Sequence, residues 1–88
     1  MVTVIDNRYI DHELKIIPEF FSPLLFQDKN FELRKNDRDF KVGDKLKLNE
    51  WNPETKEYTS RYAYKTITYI LQGGVYGLAP DYCILSLM

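Results

Sequence analysis

Hydrophobic and polar residues alternate near the start of the chain, and hydrophobic residues then recur at helical spacing. The alternation at residues 12–17 predicts a short strand. A helix is expected to begin at Pro18, because proline suits the first helical position and the acid after it suits the first turn. Pro23 conflicts with a continuous helix, since an interior proline removes a hydrogen bond. Either a second short helix begins there with Ser22 as its N-cap, or one helix kinks.

The rest of the chain alternates mainly at strand spacing. In residues 30–34, Phe31 and Leu33 form the apolar face, and Glu32 and Arg34 form the polar face of a half-buried strand. Further strands are predicted at residues 45–51, 58–71 and 82–87, with a hairpin turn at 52–57 and a glycine-containing loop at 72–81. The second of these stretches is too long for one flat strand, so a bend or bulge is expected in it.

One or two short helices followed by four or five strands predict an α+β fold dominated by antiparallel sheet. The 88 residues, 10.5 kDa, suit one domain, predicted at residues 12–88 after an N-terminal extension at 1–11. In so short a chain, we expect the sheet to curl into a small barrel, because closure leaves few unpaired edge strands. The seven Tyr, five Phe and one Trp are expected mainly to fill that barrel. Trp51 and Tyr76 are the expected exceptions, because turns or loops flank them.

Charge is nearly balanced over the whole chain but unevenly distributed along it. The net charge of −1 argues against a protein that coats nucleic acid or a membrane by bulk charge. Residues 29–47, however, contain seven bases and four acids, a net charge of +3, whereas the other residues contain five bases and nine acids, a net charge of −4. Any contact with nucleic acid is therefore expected to be local.

Several functional classes are not expected from the composition. One cysteine and one histidine are too few for a disulfide or a structural zinc site, so we expect no metal, and Cys83 is expected to be a buried, inert thiol. No apolar run is long enough to span a bilayer, and acids within the first dozen residues do not suit a signal peptide. No phosphate-binding or nucleophile-elbow motif is present. We expect a cytoplasmic protein without a cofactor or membrane contact; the oligomeric state stays open.

Three stretches of the chain closely resemble the small phage and bacterial proteins of the DUF3850 family. They are HELKIIPEFF at residues 12–21, DKNFELRKNDRDFKVGDKLKLNEWNPETKEYT at 28–59 and TYILQGGVYGL at 68–78. The family in turn resembles the ASCH domains of the PUA-like superfamily. The resemblance implies a pseudo-barrel of mixed strands with a helix plugging one end. It also implies a cleft beside that helix, which in ASCH relatives is proposed to bind RNA or modified nucleotides.

The ASCH pattern Gly-x-Lys-x-x-Glu-x-Arg is matched in its last three places by Lys29, Glu32 and Arg34, while Gln27 stands in the glycine place. Some ASCH relatives hydrolyse an acetylated cytidine with a lysine and a threonine from this strand. Lys29 matches that lysine, but Glu32 occupies the place of the threonine, so no hydroxyl nucleophile stands there. The resemblance leaves Lys29 and Glu32 as candidate acid–base residues and favours binding over catalysis.

Each candidate also has a plain structural interpretation. Glu32 and Arg34 share a strand face and have two interpretations. They form either a surface ion pair or part of a cleft, in which the arginine binds a phosphate and the glutamate accepts hydrogen bonds from the edge of a base. His12 either hydrogen-bonds at a strand start or lines the cleft with Lys15. The charged loop after Arg34 is either solvated or part of the site. The candidate binding residues are His12, Lys15, Lys29, Glu32, Arg34, Lys35, Asn36, Arg38 and Trp51.

The function expected from the resemblance is binding of RNA or a modified nucleotide in the cleft. A hydrolase that acts on a modified nucleoside is an alternative from a different class. A module that binds a phage or host protein is a third.

Overall fold

The computed structural model describes residues 10–88, so the predicted N-terminal extension lies outside the described residues except for its last two. The elements in chain order are β1 (His12–Ile16), α1 (Pro18–Leu25), β2 (Phe31–Lys35), β3 (Lys45–Asn52), β4 (Glu57–Gln72) and β5 (Tyr82–Leu87). The five predicted strands are confirmed, with bounds that differ by at most one residue at either end.

The strands form one mixed sheet in the order β1-β3-β4-β5-β2. β1 pairs with β3 in parallel, and the other three pairings are antiparallel. The predicted α+β fold with mainly antiparallel pairing is therefore confirmed. β4 pairs with β3 through its first half and with β5 through its second, and register shifts at Asn49/Trp51 and Ile67/Tyr69 mark the expected irregularities.

The two edge strands, β1 and β2, are joined by arginine side chains. Arg34 Nη2 donates to the backbone carbonyl of Lys15 at 2.5 Å, and Arg38 Nη1 donates to that of Glu13 at 3.1 Å. Those carbonyls are two residues apart and so point to the same side of β1. Backbone pairing does not close the sheet, so a barrel is not confirmed. We call the line where β1 and β2 approach each other the seam.

The core lies between α1 and the inner face of the sheet. α1 contributes Phe21 and Leu24, both fully buried. It is one helix with Pro23 inside it, so the two-helix alternative is wrong; the helix ends two residues after the proline, and Phe26 N still donates to Ser22 O. The other buried apolar residues are Leu14, Ile16, Phe40, Leu46, Leu48, Ile67, Cys83, Leu85 and Leu87.

β2 faces the opposite way from the prediction. Phe31 and Leu33 are 46% and 53% exposed, whereas Glu32 is buried. The apolar residues were expected to face inward, and that expectation is wrong. A carboxylate can be buried when it is paired, and Glu32 is paired by Lys29 and Arg34.

The expectation that aromatic residues mainly fill the core is also wrong. Among the described residues only Phe21 and Phe40 are buried aromatics. Leucine and isoleucine fill the core instead, because they occupy the inward positions of β1, β3, β4 and β5. The exposed tyrosines are Tyr58, Tyr62, Tyr64, Tyr69, Tyr76 and Tyr82.

Candidate functional site

A groove of about 460 Å³ lies over the seam. Because Leu46 and Leu48 of β3 point into the core, Asn49 points to the opposite, outer side of the sheet. The groove is therefore open on the outer face, and we call it the outer groove. Its lining residues are Glu13, Leu14, Lys15, Arg34, Arg38, Asn49 and Tyr58.

The parallel pairing of β1 with β3 builds the floor of the outer groove. Lys15 stands opposite Asn49 in the register. Asn49 Nδ2 donates to Glu13 Oε1 at 3.1 Å, which ties the two strands together through their outward side chains. A carboxylate, an amide and an ammonium group thus lie side by side on the floor.

Cations and aromatic rings surround this floor. The Lys15 ammonium lies 3.9 Å from the centroid of the Trp51 ring and 5.9 Å from that of Tyr58. The two rings meet edge to face with centroids 4.8 Å apart. Arg34 and Arg38 reach the groove from the β2 side, and about half of the Arg38 side chain is exposed. Three cations and the ring of Tyr58 therefore converge on one groove, and the ring of Trp51 lies beside it, against Lys15 and Tyr58.

A second cavity of about 320 Å³ lies on the other side of the bond between Arg34 and Lys15 O, next to α1. We call it the helix cleft. It shares Lys15 and Arg34 with the outer groove and is more apolar. Its lining residues are Lys15, Ile16, Ile17, Phe20, Glu32, Leu33, Arg34, Lys35 and Tyr82.

Arg34 is held in place by the buried carboxylate of Glu32. Arg34 Nε and Nη2 lie 3.2 and 3.1 Å from Glu32 Oε1, and Lys29 Nζ donates to Glu32 Oε2. The same guanidinium donates to Lys15 O. Arg34 has partners on both sides of the seam, so its positive charge is fixed between the two cavities. Its side chain therefore loses little conformational entropy when it binds an anion.

His12 lies at the far end of β1, on the opposite face from Lys15. Its Nε2 is 2.8 Å from Asp44 Oδ2, and its ring meets Phe40 edge to face at 4.8 Å. Burial would raise the pKa of Asp44, but the hydrogen bonds from His12 and from the backbone N–H of Lys41 outweigh it and hold that pKa below its ordinary value. His12 therefore anchors the start of β3 and lines neither cavity described above.

The structure brings some of the predicted site residues together and separates others. Three of them line the outer groove, namely Lys15, Arg34 and Arg38, and Trp51 lies beside the groove against Lys15. Glu32 and Lys35 line the helix cleft, where Lys29 contacts Glu32. His12 bonds Asp44, and Asn36 Nδ2 donates to Gln72 Oε1 at 2.9 Å, so these two lie elsewhere.

Sequence reasoning missed four residues that line the outer groove, namely Glu13, Leu14, Asn49 and Tyr58. Alternation alone predicts that Glu13 and Asn49 point outward on their strands. The parallel register that sets them beside each other pairs residues 34 positions apart in the chain, and no local pattern encodes it.

Within residues 10–88, no cluster of three His, Cys, Asp or Glu side chains is arranged to hold a metal ion. None of the helices found there has the length and apolar character needed to cross a membrane. Cys83 is fully buried as predicted, and burial, followed by the charge of Asp37, raises the pKa of its thiol.

Comparison with known proteins identifies one family. The model of a family described as a domain of unknown function (DUF3850) matches residues 11–87. No curated protein matches the chain.

Proposed function

This chain belongs to the DUF3850 family, and we propose that it binds RNA or a modified nucleotide along the seam between β1 and β2. The observation that carries the proposal is the convergence of Lys15, Arg34 and Arg38 with the ring of Tyr58 at the outer groove, where Trp51 packs beside Lys15 and Tyr58. A guanidinium recognises phosphate through its forked N–H groups, and an aromatic face stacks on a base. A nucleotide carries both of these features.

The size and polarity of the outer groove suit such a ligand. Its volume of about 460 Å³ lies within the range of small-molecule sites. The exposed part of the Arg38 guanidinium offers donors to a phosphate, while Asn49 and Glu13 offer an amide and a carboxylate to the hydrogen-bonding edge of a base. The adjoining helix cleft gives room on its apolar side for a further part of the ligand.

The finer fold assignment, an ASCH/PUA-like pseudo-barrel, belongs to the same proposal. Two features support it. The edge strands approach each other closely enough for Arg34 and Arg38 to bridge them. Gln27, which stands at the glycine place of the ASCH pattern, has φ of 66°, the left-handed conformation for which glycine is the preferred residue.

The geometry around Glu32 favours binding over the hydrolase alternative. One carboxylate oxygen accepts from Lys29 and the other from Arg34. Glu32 therefore serves to hold two cations at the seam, and its oxygens are engaged before any substrate arrives. Hydrolysis of a modified nucleoside and binding of a phage or host protein stay predictions.

The proposal is tested by the affinity of the protein for short single-stranded RNAs and for a panel of modified nucleotides at low salt. Arg38→Ala should weaken binding roughly tenfold and reduce the slope of affinity against salt by roughly 0.7, because one phosphate contact is lost. Lys41→Ala is the matched control, since this exposed lysine bonds Asp39 and lines neither cavity. Absence of any binding by the wild type, or equal effects of the two variants, would refute the proposal.

A further inference from the structure

The outer face of β3 and β4 continues from the outer groove as a row of tyrosines and lysines. In the register, Trp51 stands opposite Tyr58, Asn49 opposite Tyr62, and Lys47 opposite Tyr64. The three tyrosines are 53%, 50% and 41% exposed. We call Tyr58, Tyr62 and Tyr64, with Lys47 and Trp51, the tyrosine face. It begins at Tyr58, which lines the outer groove, so the two surfaces are continuous.

The rings of the tyrosine face are set at steep angles to one another. Tyr62 and Tyr64 have centroids 5.5 Å apart and an interplanar angle of 72°, and Trp51 and Tyr58 meet at 73°. Two rings at such an angle cannot both stack on the same flat base. They offer separate faces, one to each of two successive bases.

Positive charge accompanies the rings. The Lys47 ammonium lies 4.6 Å from the centroid of the Tyr62 ring. Lys45, two residues before it on β3, points to the same side of the sheet. Two carboxylates lie on this side of β1. Asp11 accepts a hydrogen bond from Lys45 N, and Glu13 accepts one from Asn49 Nδ2. These neutral donors leave both carboxylates charged, but Lys15, Lys45 and Lys47 outnumber them on the outward side of β1 and β3, so cations are available to a polyanion beside the exposed rings.

An exposed set of large aromatic rings on a small protein indicates a contact surface. The tyrosines lie on β4, the lysines lie beside them on β3, and the surface opens into a groove with two arginines. Aromatic rings with cations beside them suit a single-stranded nucleic acid, which needs ring faces for its unpaired bases and positive charges for its backbone. A duplex hides its base faces and would leave the tyrosines unused.

From this arrangement we infer that the outer groove is one end of a longer track for single-stranded nucleic acid. The inference rests on the proposed function and extends it. A terminal nucleotide occupies the outer groove with its phosphate at Arg38, and the following bases stack on Tyr58, Tyr62 and Tyr64. The ligand is thus an oligonucleotide of several residues, and a free nucleotide fills only part of the site.

The test compares labelled ligands of increasing length, from a mononucleotide to single-stranded RNA of about eight nucleotides, with single-stranded DNA and duplex RNA of equal length. Affinity should rise with length for single strands and stay low for the duplex. RNA and DNA share the recognised features, and their ratio shows whether the 2′-hydroxyl contributes.

Three variants locate the track on the protein. Tyr62→Ala should weaken oligonucleotide binding about tenfold, the usual effect of one lost stacking partner, and leave mononucleotide binding unchanged. Tyr62→Phe retains the ring and should bind like the wild type. Tyr69→Ala is the control, because Tyr69 is 61% exposed on the half of β4 that pairs with β5, and it should also bind like the wild type.

Different results would overturn the track and the proposed function. Equal affinity for a mononucleotide and an oligonucleotide, or equal effects of Tyr62→Ala and Tyr69→Ala, would overturn the track and leave the outer groove in place. A Tyr62→Ala variant that changes self-association of the protein alone, with RNA affinity unchanged, would show that a second copy covers this face instead. No binding of any ligand by the wild type would overturn both.

Discussion

Reversing two charges of the outer groove, in the variant Lys15→Glu with Arg38→Glu, should reduce RNA affinity on the order of a hundredfold or more at low salt. Arg38 donates to the Glu13 carbonyl, and Lys15 lies over the Trp51 ring. Both side chains are on the exposed side of the seam, so a phosphate would meet two carboxylates where it now meets two cations. The slope of affinity against salt should fall by roughly 1.4 for two lost contacts.

Two further variants show whether position or total charge causes this effect. Lys15→Gln with Arg38→Gln removes the charges without reversing them and should lose less affinity than the double glutamate variant. Lys41→Glu reverses one charge outside both cavities and should lose little affinity. The prediction is contradicted if Lys41→Glu weakens binding as much as the double variant does. Circular dichroism and melting temperatures verify that each variant is folded.

The second large effect concerns stability and comes from the buried carboxylate of Glu50. This side chain is 3% exposed, and it accepts from Arg61 Nε at 2.9 Å and Arg61 Nη2 at 3.0 Å, and from the Thr59 hydroxyl at 2.6 Å. The Arg61 guanidinium also lies 5.1 Å from the Phe21 ring centroid. The cluster therefore ties α1 to β3 and β4.

Glu50→Gln should destabilise the protein by about 2 kcal/mol, because charge-assisted hydrogen bonds are lost and an amide N–H would face the guanidinium donors. In a chain of this size the melting temperature should fall on the order of 10 °C. Glu54→Gln, at an exposed glutamate in the β3–β4 turn, is the control and should melt like the wild type. Equal melting temperatures for Glu50→Gln and the wild type would contradict the prediction.

The same carboxylate predicts how stability depends on pH. The hydrogen bonds from Arg61 lower the pKa of Glu50, burial opposes them, and the Thr59 hydroxyl adds to the lowering. Because the pKa is lower in the folded state than in the unfolded state, the stabilisation is complete above the unfolded pKa and is lost as pH falls through the folded pKa, below about pH 4. Asp44, whose pKa is also lowered, acts in the same direction.

Urea unfolding at neutral and acidic pH measures this dependence. The wild type should lose stability below about pH 4, and Glu50→Gln should lose less over the same interval, with the contribution of Asp44 remaining. An equal loss in both proteins would show that Glu50 does not contribute to the acid sensitivity.

Local pattern predicted most of the elements of this fold but not all of their orientations. Alternation placed β3 correctly, and Leu46 and Leu48 are buried as the pattern indicates. For β5 the alternation left either face open, and the structure buries Cys83, Leu85 and Leu87. The same reasoning fails for β2, where Glu32 is inside and Phe31 is outside. Hydrophobicity predicts which face is buried only when no buried ion pair competes. Alternation places Arg34 beside Glu32, but the contact of Lys29 with Glu32 and the burial of that carboxylate are known only from the folded chain.

The candidate site was predicted in part for a similar reason. Arg34 and Arg38 belong to the basic segment and to the family resemblance, and they lie at the outer groove. Lys15 joins them because β1 approaches β2 across the seam, and Tyr58 joins because the β3–β4 hairpin brings it to Trp51. Such convergence depends on tertiary pairing. The tyrosines were assigned to a barrel wall because composition alone does not distinguish the inner from the outer positions of β4.

Binding at the seam is tested most directly by mapping the amide chemical shifts of the protein during titration with a short single-stranded RNA. The largest changes should occur on the outer face across the seam, at Lys15, Arg38, Asn49, Tyr58 and Tyr62. Binding at the seam is contradicted if the changes are absent, or if they concentrate around Tyr69 on the opposite half of the sheet or around His12 and Asp44.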